Sequence, residues 1–155
     1  MSNNSTKKIH KKLQEIQSSL KAPKGQTNKF GGYQYRSCED ILTALKPLLE
    51  EQGCCLVIND QIVEVAGRVY VLAIASLRDN DSDDAVSATA YAREAETKKG
   101  MDEAQITGSA SSYSRKYALN GLFAIDDSKD PDATNTHGTK SHNTKTNNTK
   151  TEDLF

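Results

Sequence analysis

The chain lacks most of the patterns by which enzymes and metal proteins are recognised. Its 155 residues contain no Gly-rich phosphate loop ending in Gly-Lys-Ser/Thr, and no two histidines at zinc-ligand spacing on one helix. The three cysteines, Cys38, Cys54 and Cys55, show no Cys-x-x-Cys spacing, so we expect them to be buried and reduced. No signal peptide opens the chain, and no apolar run approaches the roughly 20 residues that cross a bilayer. The sequence therefore predicts a soluble intracellular protein.

Acidic clusters offer no convincing metal site either. The stretch "DNDSDD" at 79–84 matches the first three ligand positions of a calcium loop. It has Asp84 where that loop needs glycine and Ala90 where it needs a bidentate glutamate. Glu94 and Glu96 have no third acid at ligand spacing for nuclease chemistry. We expect a solvated acidic turn, no metal or cofactor, and no enzymatic activity.

The charge of the chain is unevenly distributed. Residues 1–30 carry seven lysines and one glutamate, a net of +6, whereas residues 31–130 carry ten basic and seventeen acidic residues, a net of −7. Contact with a polyanion must therefore use local basic patches or the N-terminal arm, since the bulk charge would repel it.

The N-terminal region, residues 1–29, is predicted to be a basic helix followed by a linker. Ile9, Leu13, Ile16 and Leu20 recur at intervals of four, three and four, which makes one apolar helical stripe among lysines. The following segment "KAPKGQTNKFGGYQYR", at 21–36, shows little periodicity and is predicted to be a loop.

A central domain, residues 30–125, is predicted to be α+β. Its first helix begins at Ser37, with Asp40 in capping-box spacing, and Gly53 closes it; Pro47 predicts a kink or a break. Strand patterns follow at 54–59, with an extension at 62–65, and then at 68–78 and 85–94, separated by turn signals. A long helix from about 102 to 123 completes an antiparallel three- to four-stranded meander packed with helices.

The tail, residues 126–155, is predicted to be disordered over its polar first 25 residues because it has too little apolar surface to offset ordering. It ends in "TEDLF", where an acidic pair and two large apolar side chains resemble the acidic, Phe-terminated tips of bacterial single-stranded DNA-binding proteins. Glu152, Asp153, Leu154 and Phe155 are therefore the candidate partner-binding residues.

The long helix, within "QITGSASSYSRKYALNGLFAID" at 105–126, carries the candidate binding site. Tyr113 and Tyr117 share one stripe and Arg115 lies on another, with Lys116 beside it. The tyrosines fit either core packing or exposed base stacking, and the sequence leaves both open. Arg93, Lys98 and Lys99 lead into the same helix, so five cations converge on one strand-to-helix corner. Such a patch is suited to phosphates, with tyrosines available to stack on bases.

This segment, together with "YQYRSCEDILTALKPLLEEQGCCL", resembles the phage Erf (essential recombination function) family of single-strand annealing proteins. The similarity covers roughly residues 30–132 and is most specific at Gln105, Gly108 to Ala110, Tyr113, the Arg115-x-Tyr117-Ala118-Leu119 run, and the acids Asp126 and Asp127. It implies a β-β-β-α core, ATP-independent pairing of complementary DNA strands in homologous recombination, and a bacterial host cytoplasm. It also implies assembly into rings or helical filaments.

The resemblance further implies that a dibasic step on the long helix contacts the DNA backbone, a position that Arg115 and Lys116 occupy. The candidate DNA-binding residues are Tyr35, Arg36, Arg93, Lys98, Lys99, Tyr113, Arg115, Lys116 and Tyr117. Expected partners are single-stranded DNA, the annealed duplex, further copies of the chain, and a single-stranded DNA-binding protein or phage exonuclease. Two alternatives stay open: a passive single-strand coating protein, and an adaptor that recruits host replication or repair proteins through its tail.

Overall fold

The computed structural model describes residues 2–125, with side chains from residue 8 onward. Its elements are, in order, α1 (Ser2–Ser19), β1 (Gln26–Asn28), β2 (Tyr33–Tyr35), α2 (Cys38–Glu51), β3 (Cys54–Val65), β4 (Arg68–Asp79), β5 (Ala85–Arg93) and α3 (Glu103–Phe123). β1 and β2 form a two-stranded sheet, and β3, β4 and β5 form an antiparallel three-stranded sheet with β4 in the centre. The predicted α+β fold with an antiparallel meander is confirmed.

The β3–β4 hairpin runs without interruption from the pair Cys54 and Asp79 to the pair Val65 and Arg68. Its two-residue turn places Ala66 at φ 52° and Gly67 at φ 71°. Positive φ at both positions is the geometry that matches the right-handed twist of paired strands. The extension expected at 62–65 is therefore the last third of one 12-residue strand.

The core lies between this sheet and the helices. Alternate residues of β4, including Ala73, Ala75 and Leu77, are fully buried on the side that faces α3. The neighbouring residues Leu72 and Ile74 point to the opposite face and are half-buried. From α3 the core receives Ala118, Leu119, Leu122 and Phe123.

The basic helix α1 packs into the same core. Ile9 and Ile16 are buried, so the apolar stripe predicted from spacing is confirmed. On the flank of the helix, Lys12 Nζ donates to Asp79 Oδ1 at 2.8 Å, and Lys8 lies 4.0 Å from Asp81. The hydrogen bond from Lys12 holds the pKa of Asp79 below its ordinary value. The acidic residues at the end of β4 and in the following turn are thus the partners of Lys8 and Lys12.

Two predictions about local structure were wrong. The segment at 21–36 is not all loop, because β1 and β2 pair across a turn at 29–32. The predicted break at Pro47 is wrong because α2 is one helix through that residue, whereas the alternative of a kink stays a prediction. Pro47 has no N–H group, so the carbonyl of Thr43, four residues earlier, loses its hydrogen-bond donor. Both residues are exposed, so water can donate to that carbonyl instead. The capping box between Ser37 and Asp40 is present as predicted.

The expectation that all three cysteines are buried was also wrong for one of them. Cys38 and Cys54 are buried, and burial raises the pKa of both thiols. Cys55 is exposed because the alternation of β3 turns it to the face of the sheet opposite the helices.

We expect α1 to be required for a stable domain. Ile16→Ala removes a side chain that is only 1% exposed, so the free energy of unfolding should fall by about 2–5 kcal/mol. Chemical denaturation monitored by circular dichroism measures this loss. The matched control is Gln14→Ala on the exposed side of the same helix, which should stay within about 0.5 kcal/mol of the wild type. Equal stability of both variants would contradict the packing of α1 in the core.

Candidate nucleic-acid interface

The outer side of α3 carries a cluster of two tyrosines and a lysine, which we call the aromatic ridge: Tyr113, Lys116 and Tyr117. Tyr113 and Tyr117 are 51% and 50% exposed, so the core interpretation of the tyrosines is excluded. Their rings stack with centroids 6.3 Å apart, as expected for residues one helical turn apart. Lys116 Nζ lies 5.3 Å and 5.6 Å from the two ring centroids, within cation–π range.

A first shallow hollow, the strand-side hollow, lies between the aromatic ridge and β5. Tyr91, Arg93 and Lys98 line it together with Tyr113 and Tyr117. Arg93 is the last residue of β5, and Lys98 lies in the loop that leads to α3. The end of the strand and the following loop thus bring two cations and three aromatic rings to one surface.

A second hollow, the hairpin-side hollow, lies on the other flank of the ridge. Tyr35 and Arg36 line it together with Tyr113 and Lys116, and the buried Cys38 also borders it. Tyr35 is the last residue of β2, and Arg36 immediately precedes the N-cap of α2. Tyr113 borders both hollows, which makes the ridge the wall between them.

Arg115 points away from this surface, toward the edge strand β3. Its Nε and a terminal nitrogen donate to the carboxylate of Asp60 at 2.8–3.0 Å, and Ser111 donates to the same carboxylate. Burial raises the pKa of Asp60, but the hydrogen bonds and the guanidinium charge outweigh it, so the pKa is lowered overall. The same hydrogen bond raises the pKa of Arg115. This network ties α3 to β3.

The structure brings most of the predicted site residues together, but it places the two adjacent cations Arg115 and Lys116 in different surroundings. Seven candidates line the two hollows: Tyr35, Arg36, Arg93, Lys98, Tyr113, Lys116 and Tyr117. Lys99 is exposed in the same loop as Lys98. Arg115 is 42% exposed and engaged with Asp60. The candidate tip residues Glu152, Asp153, Leu154 and Phe155 lie outside the described residues.

Two residues near the candidate interface were not predicted from the sequence: Tyr91, which lines the strand-side hollow, and Asp60, which binds Arg115. Tyr91 shares a sheet face with Arg93 by simple alternation, so its position was readable from the strand pattern. Asp60 is 55 positions from Arg115, and only the fold brings the two together.

Within residues 2–125, no helix is long and apolar enough to cross a bilayer. In that same range, no three His, Cys, Asp or Glu side chains gather closely enough to hold a metal ion.

Comparison with known proteins places the chain in a family. The family model described as the ERF superfamily matches residues 9–154. This chain belongs to the ERF superfamily. The essential recombination function protein of Salmonella phage P22 is 56% identical to it over 127 residues, which are 82% of this chain. The chain spans only 60% of the length of that relative. No solved structure matches the chain.

The ERF match is wider than the resemblance read from motifs, which covered residues 30–132. It begins at residue 9, inside α1. The structure gives a physical reason, because Ile9, Leu13 and Ile16 of that helix belong to the common core.

We expect the two neighbouring cations of α3 to respond differently to truncation. Arg115→Ala leaves the half-buried Asp60 carboxylate without its main partner and should lower the free energy of unfolding by about 1 kcal/mol, allowing for solvent screening at the exposed guanidinium. Lys116→Ala is the matched control and should change stability by less than about 0.5 kcal/mol. Urea denaturation at pH 7 compares the two variants.

The effect of Arg115→Ala should depend on pH. Because the folded-state pKa of Asp60 is lowered, its contribution to stability is present above the unfolded value of about 3.9 and is lost as the pH falls through the folded value. The free energies of unfolding of wild type and Arg115→Ala should therefore become equal at low pH. A difference that persists unchanged at low pH would show that the guanidinium acts through packing rather than through its ion pair.

Proposed function

We propose that this protein is an ATP-independent single-strand annealing protein that binds single-stranded DNA and pairs complementary strands during phage homologous recombination. The observation that carries the proposal is the aromatic ridge flanked by two hollows, each of which is lined by two cations and no acid. Membership of the ERF superfamily and the name of the P22 relative support recombination as the process.

The charge distribution favours contacts to the DNA backbone. Arg36, Lys116, Arg93 and Lys98 line the two hollows, and cationic side chains are the groups that neutralise phosphates. Phosphate contacts hold a strand in register but carry no sequence information. A strand held in this way keeps its base edges available for a complementary strand, so pairing itself tests complementarity. Tyr113 and Tyr117 can stack on any base because every base has a π face.

We also propose that the protein acts as a homo-oligomer, a ring or a helical filament, in the cytoplasm of the bacterial host. The half-buried Leu72 and Ile74 on the sheet face opposite the helices support self-association, because a second copy of the chain would bury these two apolar side chains further. A phage exonuclease and a single-stranded DNA-binding protein remain the proposed protein partners.

The test follows duplex formation between two complementary fluorescent oligonucleotides without ATP. Wild type should accelerate pairing. Lys116→Ala should bind single strands more weakly and reduce the slope of log affinity against log salt by about 0.7, the value for one phosphate contact on a single strand. Tyr113→Ala should weaken binding by about 5- to 150-fold, which corresponds to about 1–3 kcal/mol of stacking.

The matched control is Lys46→Ala, which removes an exposed lysine from α2 and should leave both affinity and annealing unchanged. Binding without acceleration would reject annealing in favour of a passive coating protein. Weak affinity that does not change with salt would reject a phosphate-binding surface and favour an adaptor.

A further inference from the structure

The β1–β2 hairpin presents a phenylalanine at its tip. Gln26, Thr27 and Asn28 pair with Tyr35, Gln34 and Tyr33, and the turn between the strands contains Lys29, Phe30, Gly31 and Gly32. Phe30 is fully exposed to solvent, with a relative accessible surface of 104%. A single exposed apolar residue is common on protein surfaces, so exposure alone assigns no role.

The turn that carries Phe30 is specifically built. Asn28 Oδ1 accepts hydrogen bonds from the backbone N–H groups of Phe30 and Gly31 at 2.9 Å and 3.1 Å, and Asn28 Nδ2 donates to the hydroxyl of Tyr33 at 2.9 Å. Gly32 adopts φ 65°, which favours glycine. A β-carbon on Gly31 would collide with the ring of Tyr33. The backbone of Phe30 is therefore held in a defined place at the tip.

The hairpin leads directly into the candidate interface. Tyr33 and Tyr35 lie on one side of β2 with ring centroids 6.3 Å apart, and Tyr35 lines the hairpin-side hollow beside Lys116. Phe30 and Tyr35 are five positions apart in the chain, a span of at most about 17 Å at about 3.3 Å per residue. That span equals about five base steps at the 3.4 Å spacing of one strand of B-form DNA. One bound strand is long enough to reach both.

The charge of the hairpin segment itself favours a polyanion as the occupant, and the carboxylate of Asp40 contacts Gln26 at the end of β1 away from the tip. Residues 16–38 include four basic residues, Lys21, Lys24, Lys29 and Arg36, and no Asp or Glu. A segment with one sign of charge repels the same segment of another copy and attracts phosphates. Exposed aromatic rings beside such cations are the combination that single-strand-binding surfaces use.

We propose that Phe30 stacks on a base of the single strand whose phosphates lie along Lys116, and that the hairpin thereby extends the DNA-binding surface beyond α3. The inference rests on the proposed function, since it needs a bound single strand. Stacking by phenylalanine tolerates any sequence, so it is compatible with a strand whose base edges must stay available for pairing.

The chain contains no tryptophan, so Phe30→Trp introduces a single fluorescent reporter at the tip. Its emission should be quenched by an oligo-dT strand and should stay unchanged with an abasic strand of equal length, which carries the same phosphates without bases. Phe30→Ala should weaken binding of oligo-dT by about 5- to 150-fold and leave abasic-strand affinity unchanged. Ile62→Ala is the matched control, because it removes another exposed apolar side chain, 62% exposed, from β3.

The outcomes separate this inference from the proposed function. The stacking role is overturned, and annealing is retained, if wild type binds and anneals strands but the two Phe30 variants show no effect. That result would be an oligo-dT affinity of Phe30→Ala equal to that of Ile62→Ala, and a Phe30→Trp emission that oligo-dT does not change. If wild type fails to bind single strands, both fall. If the emission of Phe30→Trp changes with protein concentration in the absence of DNA, the tip docks on a second copy of the chain, and the stacking role is again overturned.

Discussion

Close packing of α3 on an alanine-rich sheet is the constraint on which the rest of the structure depends. Ala73 and Ala75 of β4 are fully buried under the helix, and Ala110, Ser114 and Ala118 are the buried residues that α3 brings toward them at intervals of four. Small side chains on both elements let the helix lie close to the strands. Together with the larger buried residues Leu119, Leu122 and Phe123, this stripe accounts for the packing of α3, and Tyr113 and Tyr117 lie outside it on the exposed side of the helix.

The division between Arg115 and Lys116 follows from that placement. Successive residues of a helix point about 100° apart, so when Ser114 is buried one neighbour turns toward β3 and the next toward solvent. Arg115 meets Asp60 and ties the helix to the edge strand, while Lys116 lies over Tyr113 and Tyr117. Two adjacent cations that look equivalent in the sequence therefore have different surroundings.

Periodic features of the fold could be predicted from the sequence, whereas features stabilised by individual long-range contacts could not. The stripe of α1 and the capping box at Ser37 depend on spacing alone, and both are present. The β1–β2 hairpin has strands of only three residues, too short for an alternating pattern, and the side chain of Asn28 organises its turn. Spacing also placed Tyr113 and Tyr117 on one stripe, but it could not say whether that stripe faced the sheet. Which stripe of α3 faces the sheet depends on which stripe carries the smaller side chains, because small side chains allow the closest packing.

Part of the uneven charge of the sequence is paired within the fold. Lys12 and Lys8 of α1 face the acidic turn after β4, and the side chain of Asp79 is fully buried under Lys12. Part of the N-terminal positive charge is thus matched within the domain. The cations that line the two hollows lie elsewhere, at the end of β5, on the outer side of α3 and at the base of the hairpin. Charges separated by more than about 10 Å are largely screened at 0.1 M salt. If the proposed interface binds a polyanion, its affinity should therefore depend on the cations of the two hollows and the hairpin more than on the total charge of the domain.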